Sequence, residues 1–576
     1  MKKTGAWLVR YALEQLNIRH TFGIPGVHNT EIYDELDQSE VIEPVLVTHE
    51  GCGAFMADAV SRTSGRVGVL VIVPAAGATH AASGIGEAFL DGIPMLIICG
   101  GVRSDSQYGY QLHELDQHQM LAPITKATYK IASHAELVPT LFEAYNTAIS
   151  GEPGPVFVEV PVNIQLDLGP VDLLPQYRAP QPQPVAQDDD IAAAARMLAA
   201  AKRPGLFLGW GALGASEAAI AIAECLNAPV ATTLQGLSVF PGNHRLHTGM
   251  SFGPAAVPAA TEAFKGCDCL LAVGTRFAEI GTASFGVTVP EHLIHLDINP
   301  AVFNVNYKAS LSLEGDAAQL LPLLASRLRA LAPVGRTDDV PALIARHKQA
   351  YQAQWFAHNV VGRVNPAKFF AALRARLADT DFVVADDGNH TFLTAELMPI
   401  HAPGRFISPT DFNCMGYAVP AVIGAKLANP QAQVVGIIGD GAFLMTAMEL
   451  VTAKAMGVGA VFAVFNDGEL SQISQAQQVP YNRKTCTELR DVRMEGIALA
   501  TGVTYLKLEH NEAIEARLDE ALAQAAKGVA VLLDVYVDYS KKTRFTEGIV
   551  RTNLNRLPLP TKVRMITRAL WRRVTG

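Results

Sequence analysis

The chain has 576 residues, 49% hydrophobic and 18% charged, with 47 Gly and 33 Pro. That balance excludes a disordered or collagen-like chain and, at roughly 100–200 residues per domain, predicts three to five domains with full cores. The net charge of −9 hides an asymmetry. Residues 541–576 carry ten Lys/Arg against Glu547 alone, so this tail is +9 and the rest of the chain −18, which excludes a nucleic-acid surface on the main body.

In chain order, MKKTGAWLVRYALEQL reads as an amphipathic helix rather than a signal peptide, because Arg10 and Glu14 interrupt its apolar stretch. No apolar run approaches ~18 residues, so no membrane-spanning helix is expected. Short β-rich runs then alternate with helical stretches: 67–73, 94–99 and 156–160; 269–273 and 293–296; 382–385, 434–438, 460–465 and 529–535. Most of these runs are apolar on both faces, as parallel strands covered by helices must be. A Pro/Gln-rich linker at 168–190 and a weaker break at 332–341 divide the chain into 1–167, 190–335, 365–540 and a basic tail, 541–576. The fold class is α/β, with three doubly wound parallel-sheet domains whose ligands bind beyond the strand ends. The seven cysteines are odd in number and without a CxxC pair, which fits reduced thiols in a cytoplasmic enzyme. Cys267 and Cys269 are spaced to share one strand face.

The segment VVGIIGDGAFLMTAMELVTAKAMGVGAVFAVFNDGELSQI carries the most chemistry. One predicted strand runs into Gly439-Asp440-Gly441-Ala442 and the next into Asn466-Asp467-Gly468, so Asp440 and Asn466 can converge on one sheet edge. A carboxylate with an amide oxygen suits a hard, octahedral Mg²⁺ shared with phosphate oxygens. Gly441 allows close backbone approach to a phosphate, and the following helix offers free N–H groups. Gly-Asp-Gly alone is a tight turn; its spacing between two strands is what argues for a site. No GxGxxG follows a strand in the context a nicotinamide site needs.

This segment resembles the cofactor motif of thiamine-diphosphate (ThDP) enzymes, and the resemblance extends over nearly the whole chain, nearest the acetolactate synthase, pyruvate oxidase and 2-oxoacid decarboxylase branch. It implies pyrimidine-binding, central and diphosphate-binding domains in that order. It also implies Mg²⁺ ligands at Asp440, Asn466 and the Gly468 carbonyl, with Gly441 and Ala442 against the diphosphate. The pattern HExxxAxMADxxxRxxG around Glu50 resembles the family's pyrimidine-binding motif, which assigns Glu50 to the cofactor's N1′ nitrogen as the activating acid. In ISPTDFNCMGYAVPAVIGAKLA, Met415 falls at the position that holds the two cofactor rings in a V, with the backbone of Asn413 and Met415 on the aminopyrimidine. DDGNHTF supplies Asn389 and His390 as diphosphate contacts, Asn389 standing where Gln is common. Because the cofactor of such enzymes lies between domains of two chains, a homodimer, commonly paired into a homotetramer, is implied.

On the substrate side the resemblance places His28, in FGIPGVHN, and His113, in QLHELDQ, near the reacting centre, and PAAGATH puts His80 where the family has Asn. Gln472 stands where an apolar Met is usual and Ala476 where a Trp is usual, which predicts a wider, more polar pocket, with Glu469 available to a cationic substrate end. The reaction implied is decarboxylation of a small-molecule 2-oxo acid, followed by protonation or carboligation. Two alternatives stay open: a decarboxylase for a larger polar 2-oxo acid, and a membrane-associated, FAD-dependent, pyruvate oxidase-like enzyme. For the latter, AVGTRFAEIGT and HLDINP resemble central domains that bind FAD in some members. The tail PLPTKVRMITRALWRRVTG, with Val563, Ile566, Leu570, Trp571 and Val574 among its arginines, reads as a cationic amphipathic helix. It would pack over the acidic body or a neighbouring subunit, or make peripheral contact with a membrane.

Overall fold

The computed structural model describes residues 1–180, 188–333, 335–489 and 492–575, apart from the side chains of residues 479, 554, 555, 574 and 575. Residues 181–187 of the expected linker, Val334 of the weaker break, and the Val574 side chain lie outside the described residues.

The chain forms three six-stranded, all-parallel sheets. The first runs, edge to edge, Glu43–Leu46, His20–Gly23, Gly68–Ile72, Met95–Gly101, Pro155–Pro161 and Ala127–Lys130. The third runs Phe406–Ile407, Phe382–Ala385, Val434–Gly439, Val461–Phe465, Val531–Val535 and Thr504–Leu508. Counted within each unit, both have the order 2-1-3-4-6-5. The middle sheet, His247–Met250, Val230–Thr232, Pro204–Leu208, Cys269–Val273, His292–Asp297 and Leu311–Glu314, has the order 3-2-1-4-5-6 of dinucleotide-binding folds. Helices cover both faces, so the central strands are apolar throughout; Val434–Ile438 and Val461–Phe465 are wholly buried.

Every expected strand is present within a residue or two. The strands that sequence reading passed over are mostly short or at a sheet edge, where half-polar sequences such as TYLKL (504–508) give a weak signal. Lys2–Thr4 pairs antiparallel with Leu168–Pro170, so the first three residues of the expected linker belong to a strand that clasps the chain start. The first helix, Gly5–Gln15, buries Leu8, Val9, Ala12 and Leu13. Cys267 lies ahead of its strand, its thiol against the Cys269 carbonyl, so the two cysteines do not share a strand face. All seven cysteines are free, and among the described residues no helix is long and apolar enough to cross a membrane.

The first and third units meet through the helices Glu50–Ser64 and Ala418–Ala428. A Cβ on Gly424 would lie 2.3 Å from the Met56 carbonyl oxygen, so only glycine permits this backbone approach. Beside it Arg62, fully buried, joins Asp58 (2.7 Å) and Asp91 (2.9 Å), while the Tyr417 hydroxyl donates to Asp58 (2.6 Å). Thr48 donates through its N–H and hydroxyl to Glu449. The tail forms the helices Arg544–Arg556 and Leu559–Thr575. The second lies over the helix Ser471–Tyr481, with the Arg568 and Arg572 guanidinium groups 5.3 Å from the Tyr481 ring.

Candidate functional site

At the third sheet the chain switches direction between Phe382–Ala385 and Val434–Gly439, the crevice where open α/β sheets take ligands. A cavity of about 110 Å³ opens there, and every residue lining it belongs to the segment 387–539. It unites Asn389, His390, Met415, Asp440, Gly441, Ala442 and Gln472 from four separate stretches of sequence.

Asp440 opens a helix directly at the strand end and is buried. Its Oδ1 accepts from the Gly441 N–H (2.8 Å), and its Oδ2 from the N–H groups of Gly468 (2.7 Å) and Asp467 (3.2 Å). These bonds tie the two loops together and favour the carboxylate, but burial outweighs them and raises its proton affinity. A Cβ on Gly441 would lie 2.3 Å from the Leu470 side-chain tip, which would have to turn aside. Asn466 does not line the cavity; its amide donates to Asp534 (3.0 Å), leaving its carbonyl oxygen as the atom available to a ligand. Gly468 has a positive φ of 78°, with open space where a Cβ would stand. Asn413 is left-handed (φ 65°) and bonds the Asp387 carboxyl. The buried Asp386 carboxylate accepts from the N–H groups of Gly416 (2.9 Å) and Ala418 (2.7 Å), which fixes the turn carrying Met415.

Four buried polar atoms of the residues lining it have no partner among the described residues: His390 Nε2, Asp467 Oδ1, Gln472 Oε1 and the Tyr539 hydroxyl. Natural proteins rarely leave such groups unsatisfied, so their convergence marks a place for a polar ligand. The Asp467 carboxyl is pushed up to about 7, by burial against a hydrogen bond from Ser471 and by the neighbouring Asp440 charge. Two acids with raised proton affinity and an amide oxygen are oxygen donors of the kind a hard divalent cation takes, so the residues present fit Mg²⁺ bound with a diphosphate; the Gly468 carbonyl already accepts from the Leu489 N–H (2.9 Å) and would offer its second lone pair. Asp467 and Tyr539 were not among the expected residues. The first adjoins Asn466 and was readable as a second acid; the second follows the last strand and had no local signal.

The expected residues of the first unit form a separate cluster. Glu50, 6% exposed, begins the helix after Glu43–Leu46, and its Oε2 lies 2.9 Å from His80 Nδ1. The His80 ring stacks on His49 (4.8 Å), whose Nδ1 caps the helix at Gly51. His28 and His113 meet with Nδ1 atoms 3.3 Å apart, and burial, then His113, lowers the proton affinity of His28. Glu50 and His80 lie in helices, and His28 and His113 in loops, that follow strands of one sheet. Within one chain, no first-unit residue lines the Asp440 cavity. Glu469, expected to be available to a substrate cation, is instead paired with Lys484 and accepts from Ser474 (2.8 Å).

The corresponding crevice of the middle sheet, lined by Gly209, Trp210, Gly274, Arg276 and Asp297, holds only about 100 Å³. Arg276 crosses it to Asp411 (2.7 Å) and Glu152 (3.4 Å), and Asn299 donates to the other Glu152 oxygen (2.5 Å). In volume it matches the Asp440 crevice; what sets it apart is that its charged groups already pair with one another.

Three domain families match the chain: the thiamine pyrophosphate enzyme N-terminal TPP binding domain over residues 3–120, the central domain over 191–324 and the C-terminal TPP binding domain over 386–535. The acetolactate synthase large subunit of Buchnera aphidicola (from Schizaphis graminum) is 30% identical over 549 residues, covering 93% of this chain and 95% of that protein. The isozyme 3 large subunit of Escherichia coli K12 is 30% identical over 554 residues, with the same coverages. The Corynebacterium glutamicum large subunit is 33% identical over 507 residues, covering 85% of this chain and 79% of its own length. With the sheet orders and the Asp440 crevice, these matches establish that the chain belongs to the thiamine pyrophosphate enzyme family, as an acetolactate synthase-like member.

Proposed function

We propose that this protein is a Mg²⁺- and ThDP-dependent enzyme that decarboxylates a 2-oxo acid and delivers the remaining acyl unit to a proton or a carbonyl acceptor. The observation that carries this reading is the set of four unpartnered polar atoms around the Asp440 crevice, in a chain whose third unit matches a TPP binding domain. Bound there, the cofactor would supply the electron sink that makes loss of the carboxyl group feasible. The chain's own residues would do the rest. Asp440, Asn466 and the Gly468 carbonyl would hold the metal; Asn389, His390, Gly441 and Ala442 would bind the diphosphate; Asn413 and Met415 would orient the ring system. Glu50, buried at the start of its helix, would donate a hydrogen bond to the pyrimidine N1′. His28 and His113, whose Nδ1 atoms lie 3.3 Å apart, would deliver or accept a proton at the substrate.

Because Glu50 and Asp440 line no common cavity within one chain, the reading takes Glu50 from a second copy, which makes a homodimer the smallest complete unit and supports a homotetramer as its pairing. It keeps the division at 1–167, 190–335 and 365–540, with 541–576 as the tail. FAD has no part in it, since the polar groups of the middle crevice satisfy one another. The free cysteines support a reducing, cytoplasmic setting. Docking of the tail helix on Ser471–Tyr481 supports a packing role for the tail. Val563, Ile566 and Leu570 stay exposed along it, which leaves a surface for peripheral membrane contact; liposome flotation with and without residues 558–576 tests this, equal flotation removing the membrane role.

The buried, unpartnered Gln472 oxygen favours a second reading, a larger 2-oxo acid with its own hydrogen-bond donor, because an aliphatic substrate would leave that oxygen unsatisfied. A decarboxylation panel with added ThDP and Mg²⁺, running from pyruvate to longer polar 2-oxo acids, tests both. Preference for pyruvate sinks the second reading, and no turnover of any 2-oxo acid sinks the first.

A further inference from the structure

A second cavity, of about 270 Å³, lies between the middle sheet, the connecting helix Val340–Phe356 and the helix Asn389–Leu397 of the third unit. Its walls are mainly apolar, with Leu237, Val257, Phe356 and Met398 among them, and carry His347, Gln352 and His401 as well. Two polar side chains in it are incompletely served. His247 is 6% exposed; among the described residues neither ring nitrogen makes a well-formed hydrogen bond, though the ring faces the Gly242 backbone. The Lys348 ammonium reaches only the Gly242 carbonyl, at 3.4 Å, and among the described residues no carboxylate comes within ion-pair range of it.

The acid on the wall does not serve that cation. Glu396 accepts from the Tyr351 hydroxyl (2.5 Å) and the N–H groups of Phe545 (2.8 Å) and Arg544 (3.2 Å), so its oxygens are committed to the start of the tail. A confined ammonium beside an incompletely bonded imidazole is costly unless an anion completes it. Burial accordingly draws the lysine down to about 8, and burial followed by the Lys348 charge keeps His247 neutral, with one ring N–H to donate. The cation and the N–H select a carboxylate head, and the apolar walls select an aliphatic body.

We propose that this cavity is a binding site for a short aliphatic carboxylate, held by Lys348 and His247 and separate from the Asp440 crevice. Seated there, such a ligand would bridge the middle unit, the connecting helix and the third unit.

The experiment is isothermal titration of the full-length protein with isovalerate, with isovaleramide as the uncharged isostere and inorganic phosphate as the anion without an aliphatic body. Saturable isovalerate binding is expected, with at least tenfold weaker binding of both comparators. K348M should weaken isovalerate at least tenfold, H247F several-fold, and K348R should retain most of the affinity. D440A should leave binding unchanged, which separates this site from the proposed cofactor site; loss in D440A would place the carboxylate in the other crevice and overturn the proposal. Absence of saturation by 10 mM, or equal affinity in K348M, would overturn it as well. Thermal melting checks that the variants are folded, and K348Q replaces K348M if the latter is not.

Discussion

The crevices of the middle and third sheets occupy equivalent places, each beyond the strand ends where the chain reverses direction, yet their chemistry is opposite. Around Asp440, four buried polar atoms lack partners. Around Arg276, the guanidinium and the Glu152 and Asp411 carboxylates satisfy one another and join all three units. Topology chooses where a ligand would sit; whether the polar groups there are already satisfied decides between a binding site and a structural clasp.

That contrast can be broken experimentally, and the largest effect should come from the acid proposed to complete the third-sheet site. Glu50→Gln should lower kcat by about 10²–10⁴-fold, the range of a lost general acid, while ThDP affinity measured by fluorescence quenching stays within a few-fold. An equal loss of cofactor affinity would mean that Glu50 only binds. Asp440→Ala should weaken Mg²⁺–ThDP binding by about 100-fold or more, since a buried charge partner is worth about 3–5 kcal/mol. Unchanged affinity would remove the crevice from the proposal.

The middle crevice sharpens the contrast at smaller scale. Burial, then the Glu152 charge, raises Asp297 to about 6, so this carboxyl supports the fold while protonated and costs stability as pH rises from about 4 through about 6. Asp297→Asn should therefore gain about 1–3 kcal/mol at pH 7 and flatten the stability profile across that window, as denaturant unfolding at pH 4 to 7 would report. No gain at pH 7 would mean that the charged carboxylate is better served than its burial implies. The smallest effect is expected from His80→Asn. Its side chain is half exposed, so releasing Glu50 from it should change kcat only about two- to tenfold, below the full range for a catalytic acid. An unchanged kcat would remove His80 from the control of Glu50.

The sequence made legible whatever lies within one strand–turn–helix unit. Asp440 stood out because apolar strands bracket its turn, and Glu50 because its helix carries a dense local pattern. What bridges distant stretches was not legible. Tyr539 reaches the Asp440 crevice from beyond the last strand, and Arg276 meets Asp411 across 135 positions. His80 meets Glu50 only because the helices that follow two strands of one sheet lie together, so its departure from the family pattern was visible while its partner was not. Short edge strands such as Phe406–Ile407 escaped for another reason: two residues carry no period.

The glycine contact between Met56 and Gly424 reaches beyond packing. Backbone pressed against backbone leaves no soft side chain to absorb displacement, so the helix that starts at Glu50 and the helix that follows Met415 travel as one body. In a two-fold pair, each chain's acid would belong to one reaction chamber and its phosphate anchor to the other. Closing the first chamber would then tug on the second through a stiff strut, and the two would keep time with one another rather than fire independently.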